Sequence, residues 1–147
     1  MAPSDCVFCK VVNDELPSSR VYESESLIAF LDIDPVTPGH TLVVPKAHLP
    51  ELADLSDELG AEIFSVARRV AAALRRSGIR SEGVNLFYAD GEAAFQEVFH
   101  AHLHVFPRFA TDGFTIDARW GSDPARQELD DHAAQLREAL AGGHGPR

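Results

Sequence analysis

The sequence has little that would suit a disulfide-stapled, membrane-spanning or nucleic-acid-binding protein. Cysteine is limited to Cys6 and Cys9. The pair lies too close together to staple a fold, which excludes a disulfide framework and leaves metal or redox chemistry. Long apolar runs are missing: no stretch reaches the roughly 18 apolar residues that a membrane span needs. The first residues, Met1 to Asp5, have neither a basic start nor an apolar run, so a cytoplasmic protein without a membrane partner is expected. Basic residues are scarce as well. Thirteen lysines and arginines stand against 23 aspartates and glutamates, a formal charge of −10. That balance argues against nucleic acid as a partner, because such binding depends on clustered cations neutralising phosphates. Arg68, Arg69, Arg75 and Arg76 form a basic run, but it falls at the end of a predicted helix, where cations offset the helix dipole. Neither an internal repeat nor a low-complexity tract is present.

What remains is 147 residues, 45% of them apolar, enough for one domain with a substantial core. Short alternating segments predict strands at Arg20 to Glu23, Leu27 to Leu31, Thr41 to Val44, Val84 to Tyr88 and Phe99 to Phe106. Glu25-Ser26 suggests a hairpin, and Pro35, Pro38 and Gly39 punctuate the next connection, so the sheet should be largely antiparallel. Leu59, Ile63, Val66, Ala67, Val70 and Leu74 recur at helical steps. They predict one long helix from Ser56 to Ser77, capped by Ser56, with Asp57 and Glu58 in its first turn and Gly78 closing it. Leu129, Ala133, Leu136 and Leu140 predict a second helix over Pro124 to Leu140, followed by a loose tail from Gly142 through His144 to Pro146.

The most informative segment is His100-Ala101-His102-Leu103-His104-Val105-Phe106. On a strand, residues two apart share a face, so the three histidines should project together while Phe99, Ala101, Leu103 and Val105 enter the core. Three imidazoles on one face are a poor packing solution, since each needs a hydrogen-bond partner. They could bind one metal, act as nucleophile with acid/base partner, or divide between both roles. Cys6-x-x-Cys9 is half of a zinc site by spacing, with a redox dithiol as the competing reading.

The histidine segment resembles the signature of the histidine-triad (HIT) superfamily. Four further blocks resemble the family's in the family order: Cys6-Val7-Phe8-Cys9-Lys10-Val11-Val12, Phe30-Leu31-Asp32-Ile33-Asp34-Pro35, Pro38-Gly39-His40-Thr41-Leu42-Val43-Val44-Pro45-Lys46 and Phe106-Pro107-Arg108. The resemblance implies an α+β, HIT-like fold with an antiparallel sheet of about five strands, one long helix and a carboxy-terminal helix. It places a HIT domain at residues 6–110 and an extension at 111–147. The zinc-containing bacterial relatives act as nucleoside phosphoramidases or dinucleoside polyphosphate hydrolases. By that likeness His102 would attack an α-phosphate, forming a nucleotidyl-histidine that water then cleaves, and the His100 carbonyl would hold its opposite N–H. His104 would hydrogen-bond the departing oxygen, with His40 behind it or serving only as a turn residue.

The same likeness makes Asp32 the acceptor for both ribose hydroxyls. Val11, Phe30 and Ile33 become an apolar slot for a purine base, although Phe30 and Ile33 would also serve as strand core. Gln96 and Glu97 would lie near the phosphates. Three positions depart from the family pattern: Ala89 replaces an amide residue, Phe95 a glycine, and Glu97 a serine or threonine. A carboxylate at 97 should repel phosphate unless it turns away or the leaving group is cationic. Zinc-bearing relatives join the cysteine pair to a histidine after Pro-Lys and to the first triad histidine, which implies a structural zinc on Cys6, Cys9, His48 and His100. A homodimer is expected on the same basis. The competing functional reading is a nucleotide-binding sensor or scaffold with negligible turnover.

Overall fold

The protein is described here by a computed structural model covering residues 3–118 and 120–143. Of the expected tail, His144 to Pro146 lie outside the described residues. The chain divides into two compact units, Met1–Phe114 and Thr115–Arg147.

The first unit contains α1 (Val7–Val12), β1 (Arg20–Glu23), β2 (Leu27–Leu31), β3 (Thr41–Pro45), α2 (Asp57–Arg76), β4 (Gly83–Phe87) and β5 (Leu103–Arg108). Its strands form one sheet in the order β1-β2-β3-β5-β4. Each neighbouring pair is antiparallel, so the fold is α+β as expected. The second unit contains α3 (Arg126–Ala141), which carries the predicted leucine spacing and starts two residues later than expected. No helix among the described residues is long and apolar enough to cross a membrane.

The central strands read as continuous apolar runs because both faces of the sheet are covered. Leu27, Ala29, Val43, Leu103 and Val105 pack on one side against Ile63, Val66, Ala67 and Leu74 of α2. Ile28, Phe30, Leu42 and Val44 turn to the other side, against Phe8, Cys9 and Val11 of α1. Leu27, Ile28, Val43, Val44 and Val105 are wholly buried. Burial of such side chains stabilises by about 1.5–3 kcal/mol each, and truncating Leu27 to Ala would cost about 2–5 kcal/mol. This division matters for the site: the period of two that sends Leu103 and Val105 toward α2 sends His104 and Phe106 to the α1 face.

Local chemistry sets the connections. Ser24 and Ser26 hydroxyls donate to the Glu62 carboxylate over 2.9 and 2.5 Å, tying the β1–β2 hairpin to α2. Ser56 Oγ accepts from the Leu59 N–H at 3.1 Å, capping α2 as predicted. The other end of α2 differs from expectation. Ser77, not Gly78, is the C-cap; its N–H and hydroxyl both reach the Leu74 carbonyl, so a left-handed glycine is unnecessary. Gly39 does require its lack of a side chain: φ is +93°, and a Cβ would lie 2.9 Å from Ile79 Cγ2. That turn delivers His40 to the start of β3.

The predicted fifth strand is displaced. It begins at Leu103 and runs to Arg108, whereas Phe99 to His102 approach it outside the sheet. The Ala101 N–H donates instead to the Leu49 carbonyl at 2.7 Å, and the His100 ring turns toward the cysteines. The three histidines therefore do not share one strand face. β4 starts one residue earlier than predicted, at Gly83, and leaves Tyr88 beyond its end.

Candidate active site and metal centre

The N-terminal cysteines and two distant histidines converge. Cys6 ends the segment before α1, where its sulfur accepts from the Cys9 N–H at 3.5 Å; one helical turn therefore brings both sulfurs to one side. His100 Nδ1 lies 3.4 Å from Cys6 Sγ and 3.5 Å from Cys9 Sγ. His48 Nδ1 lies 3.3 Å from Cys9 Sγ and 3.3 Å from His100 Nδ1. A tetrahedral zinc, with Zn–S of about 2.3 Å and Zn–N of about 2.0–2.1 Å, separates its ligand atoms by roughly 3.3–3.8 Å. The donor set fits that tetrahedron. On the far side of its ring, His100 Nε2 is 2.7 Å from the Pro45 carbonyl oxygen. A carbonyl only accepts, so Nε2 carries the proton and Nδ1 faces the cluster with its lone pair.

The same reasoning assigns the tautomers of the other histidines. His102 Nδ1 is 2.6 Å from the His100 carbonyl oxygen, so Nδ1 is protonated and Nε2 holds a free lone pair. The Val36 N–H donates to His40 Nδ1 at 3.2 Å. His40 must then carry its proton on Nε2, which is 2.8 Å from His104 Nδ1. That nitrogen accepts, leaving His104 with an N–H at Nε2. Backbone groups thus prepare a base at His102 and a donor at His104, whose ring centroids are 4.9 Å apart.

Both rings line a cavity of about 600 Å³ on the α1 face of the sheet. Register explains the placement: Phe30 pairs with Leu42, Leu42 with His104, and His104 with Phe87. A row of four residues therefore crosses the cavity floor. Val11, Phe30, Asp32, Ile33, His40 and Glu97 also line it. Asp32 Oδ1 accepts from the Asp34 N–H at 2.9 Å, while Oδ2 lies 3.6 Å from His40 Nε2.

Two positions sit differently from the others. Ile33 is not strand core; it follows the end of β2 and is 96% exposed at the cavity rim. Gln96 does not line the cavity. It is buried, its Oε1 accepts from the Gly91 N–H, and its Nε2 donates to the Pro50 and Val98 carbonyls. Its side-chain amide thus fastens the loop beside the cavity.

Comparison with known proteins gives these features a family. The HIT domain model matches residues 13–111. The chain belongs to the HIT family. A HIT-like protein of Borreliella burgdorferi is 49% identical over 75% of this chain and 80% of its own length. The adenylylsulfatase HINT3 of Arabidopsis thaliana is 34% identical over 90% of this chain and 66% of its own. Among solved structures, a zinc-bound histidine triad family protein from Mycobacterium smegmatis superposes with a TM-score of 0.73. It is 43% identical and the match covers 94% of this chain and 99% of that one.

Burial governs protonation in this HIT protein. It is the leading cause that lowers the pKa of His40, His100 and His102 below the usual 6.5. His104 falls to about 4, through burial first and then the neighbouring charges of His102 and His40. Neutral imidazoles at pH 7 agree with the hydrogen-bond assignment. Cys9 moves the other way, to about 11, from burial and then its hydrogen bond and charge interaction with Cys6. A divalent cation reverses that preference and ionises such thiols.

Sequence reasoning missed two aromatic contacts. Phe8 stands edge-on to His102, with centroids 4.9 Å apart, and Phe87 stands edge-on to His104 at 5.8 Å. α1 has only six residues, too few to display a helical period. Phe87 was legible through the alternation of β4 only once its register with His104 was known.

Proposed function

We propose that this HIT protein is a nucleotide hydrolase or transferase acting at the α-phosphate of a nucleoside phosphoramidate or dinucleoside polyphosphate. The observation that carries the reading is the pairing of a neutral His102, its Nε2 lone pair free, with a neutral His104 offering an N–H in the same cavity. A neutral imidazole is an available nucleophile near pH 7, whereas Ser or Lys would need activation. The Asp32 carboxylate suits two vicinal ribose hydroxyls, and Phe30 and Val11, with Ile33 at the rim, offer apolar surface to a purine. Such a slot discriminates weakly among bases.

In this mechanism His102 Nε2 forms a bond to the α-phosphorus while the bond to the leaving group breaks. The leaving atom retains the electron pair. His104 hydrogen-bonds that atom as charge grows on it, and His40 keeps His104 in the donating tautomer. Water then displaces His102 from phosphorus, yielding the nucleoside monophosphate and returning the neutral imidazole. Zinc is the metal best suited to Cys6, Cys9, His48 and His100: four ligands close its tetrahedron and two thiolates balance its charge, so its contribution is structural. We assign catalysis to residues 6–110, with 111–147 an extension, in a cytoplasmic homodimer.

Mass spectrometry of protein quenched with adenosine phosphoramidate tests the assignment. A nucleotidyl adduct on His102 supports it. Tight nucleotide binding with neither adduct nor turnover would replace it with the sensor reading.

A further inference from the structure

The cavity beside His102 and His104 lacks fixed positive charge. Among the described residues no lysine or arginine lines it; its charged side chains are the carboxylates of Asp32 and Glu97. Asp32 is claimed by the ribose, whereas Glu97 is exposed and forms no ion pair among the described residues. Phe95 stands two residues away, 81% exposed yet lining the same cavity.

The backbone at Phe95 makes this exposure informative. Its φ of +69° and ψ of 25° lie in the left-handed region, which glycine holds without strain and a bulky residue rarely adopts. The surrounding loop over-determines the conformation. The Phe95 N–H reaches the Glu92 carbonyl, the Gln96 N–H reaches the Gly91 carbonyl, and the Gln96 side chain fastens the loop to Gly91, Pro50 and Val98. A strained aromatic that buries little of its surface is poorly explained by packing, and such strain concentrates where ligands are held.

We propose that Phe95 and Glu97 form a leaving-group subsite that selects a positively charged amine on an aromatic frame. The ring offers a flat face and the carboxylate an opposite charge, within one loop held rigid by Gln96. A polyphosphate leaving group would instead bring several negative charges past Glu97 with no fixed cation to receive them. The inference rests on the proposed function and narrows its substrate class to phosphoramidates of cationic aromatic amines. The step balances. His102 Nε2 bonds to phosphorus, the P–N bond to the amine breaks with its electron pair remaining on nitrogen, and that nitrogen takes one proton from solvent. Water then cleaves the P–N bond to His102 and returns one proton.

The test uses adenosine 5′-phosphoramidates of four amines: 4-(aminomethyl)benzylamine, benzylamine, 4-(aminomethyl)benzoate and methylamine. Diadenosine tetraphosphate is added with and without magnesium. The expected order of kcat/KM is cationic over neutral over anionic aromatic amine, each step about two- to fivefold, the range for one exposed charge or aromatic contact. Glu97→Gln should erase the charge preference while retaining benzylamine over methylamine. Phe95→Gly should erase the aromatic preference while retaining charge selection; a merely structural role would change all four substrates equally. Equal turnover of the four amides through a His102 adduct, or preference for diadenosine tetraphosphate, would overturn the subsite and leave the proposed function standing. Failure of every compound to label His102 would overturn both.

Discussion

The Nδ1 nitrogen of His102 lies 2.6 Å from the carbonyl oxygen of His100, while the ring of His100 faces Cys6 and Cys9. One residue thus serves two sites, its side chain completing a metal-ligand set and its main chain orienting the neighbouring base. His102→Ala should therefore lower turnover by on the order of 10⁴-fold or more, the scale seen when a nucleophile is removed. Nucleotide affinity and metal content should persist, because neither Asp32 nor the four-ligand cluster is changed. Stopped-flow assay, titration with a nucleoside monophosphate and elemental analysis check the three parts; retained turnover would sink the mechanism.

Much of this arrangement was legible in the amino-acid pattern because it rests on local periodicity. The β2 and β3 apolar runs, the α2 spacing and the Ser56 cap each express a short-range rule. The failures arise where distant atoms intervene. Nothing near His100 announces that Leu49 will take the Ala101 N–H and delay the start of β5. Gln96 is held by the Pro50 carbonyl, 46 residues earlier. The end of β2 at Leu31 was legible, but the exposure of Ile33 at the cavity rim was not, because it depends on how the chain turns after the strand.

Asp32 offers a separable test of recognition. If its carboxylate accepts both ribose hydroxyls, Asp32→Ala should weaken ribonucleotide binding by about 1.5–3 kcal/mol, the range for hydrogen bonds to a charged group. A 2′,3′-dideoxy analogue should bind both proteins nearly alike. Calorimetric titration measures the difference, and equal losses for the two ligands would remove Asp32 from the ribose site.

Acid should destabilise the fold through its buried imidazoles. His104 titrates near 6.5 when unfolded and at about 4 when folded, principally because burial disfavours its charge. Between these values the unfolded chain holds a proton that the folded chain does not. The stabilisation is complete above about pH 6.5 and is lost as pH falls toward 4. His40, His100 and His102 shift in the same direction. Urea midpoints should therefore decline from pH 7 to 5, and His104→Asn should show a shallower decline. Parallel slopes would mean that His104 is not held neutral. Because the His102 pKa is also lowered, the acid limb of kcat/KM should lie below 6.5.

Metal removal distinguishes a structural centre from a catalytic one. Cys6, Cys9, His48 and His100 hold their ligand atoms within 4.8 Å of one another, and Cys6 and His100 are wholly buried. Without a cation, this cluster crowds two thiols against two imidazoles in poorly solvated surroundings. Binding energy for a structural metal is therefore folding energy. The purified protein should contain one zinc per chain, and Cys9→Ser should lose it and melt at a lower temperature. Activity should fall less steeply than stability, because His102 is held by the His100 main chain and the effect on attack is limited to looser placement. His104→Ala should keep its zinc, since that ring contacts His40 and the cavity, not the cysteines. Elemental analysis paired with thermal melts separates the possibilities. Zinc retained in Cys9→Ser but lost from His104→Ala would move the metal to the triad and make it part of the chemistry.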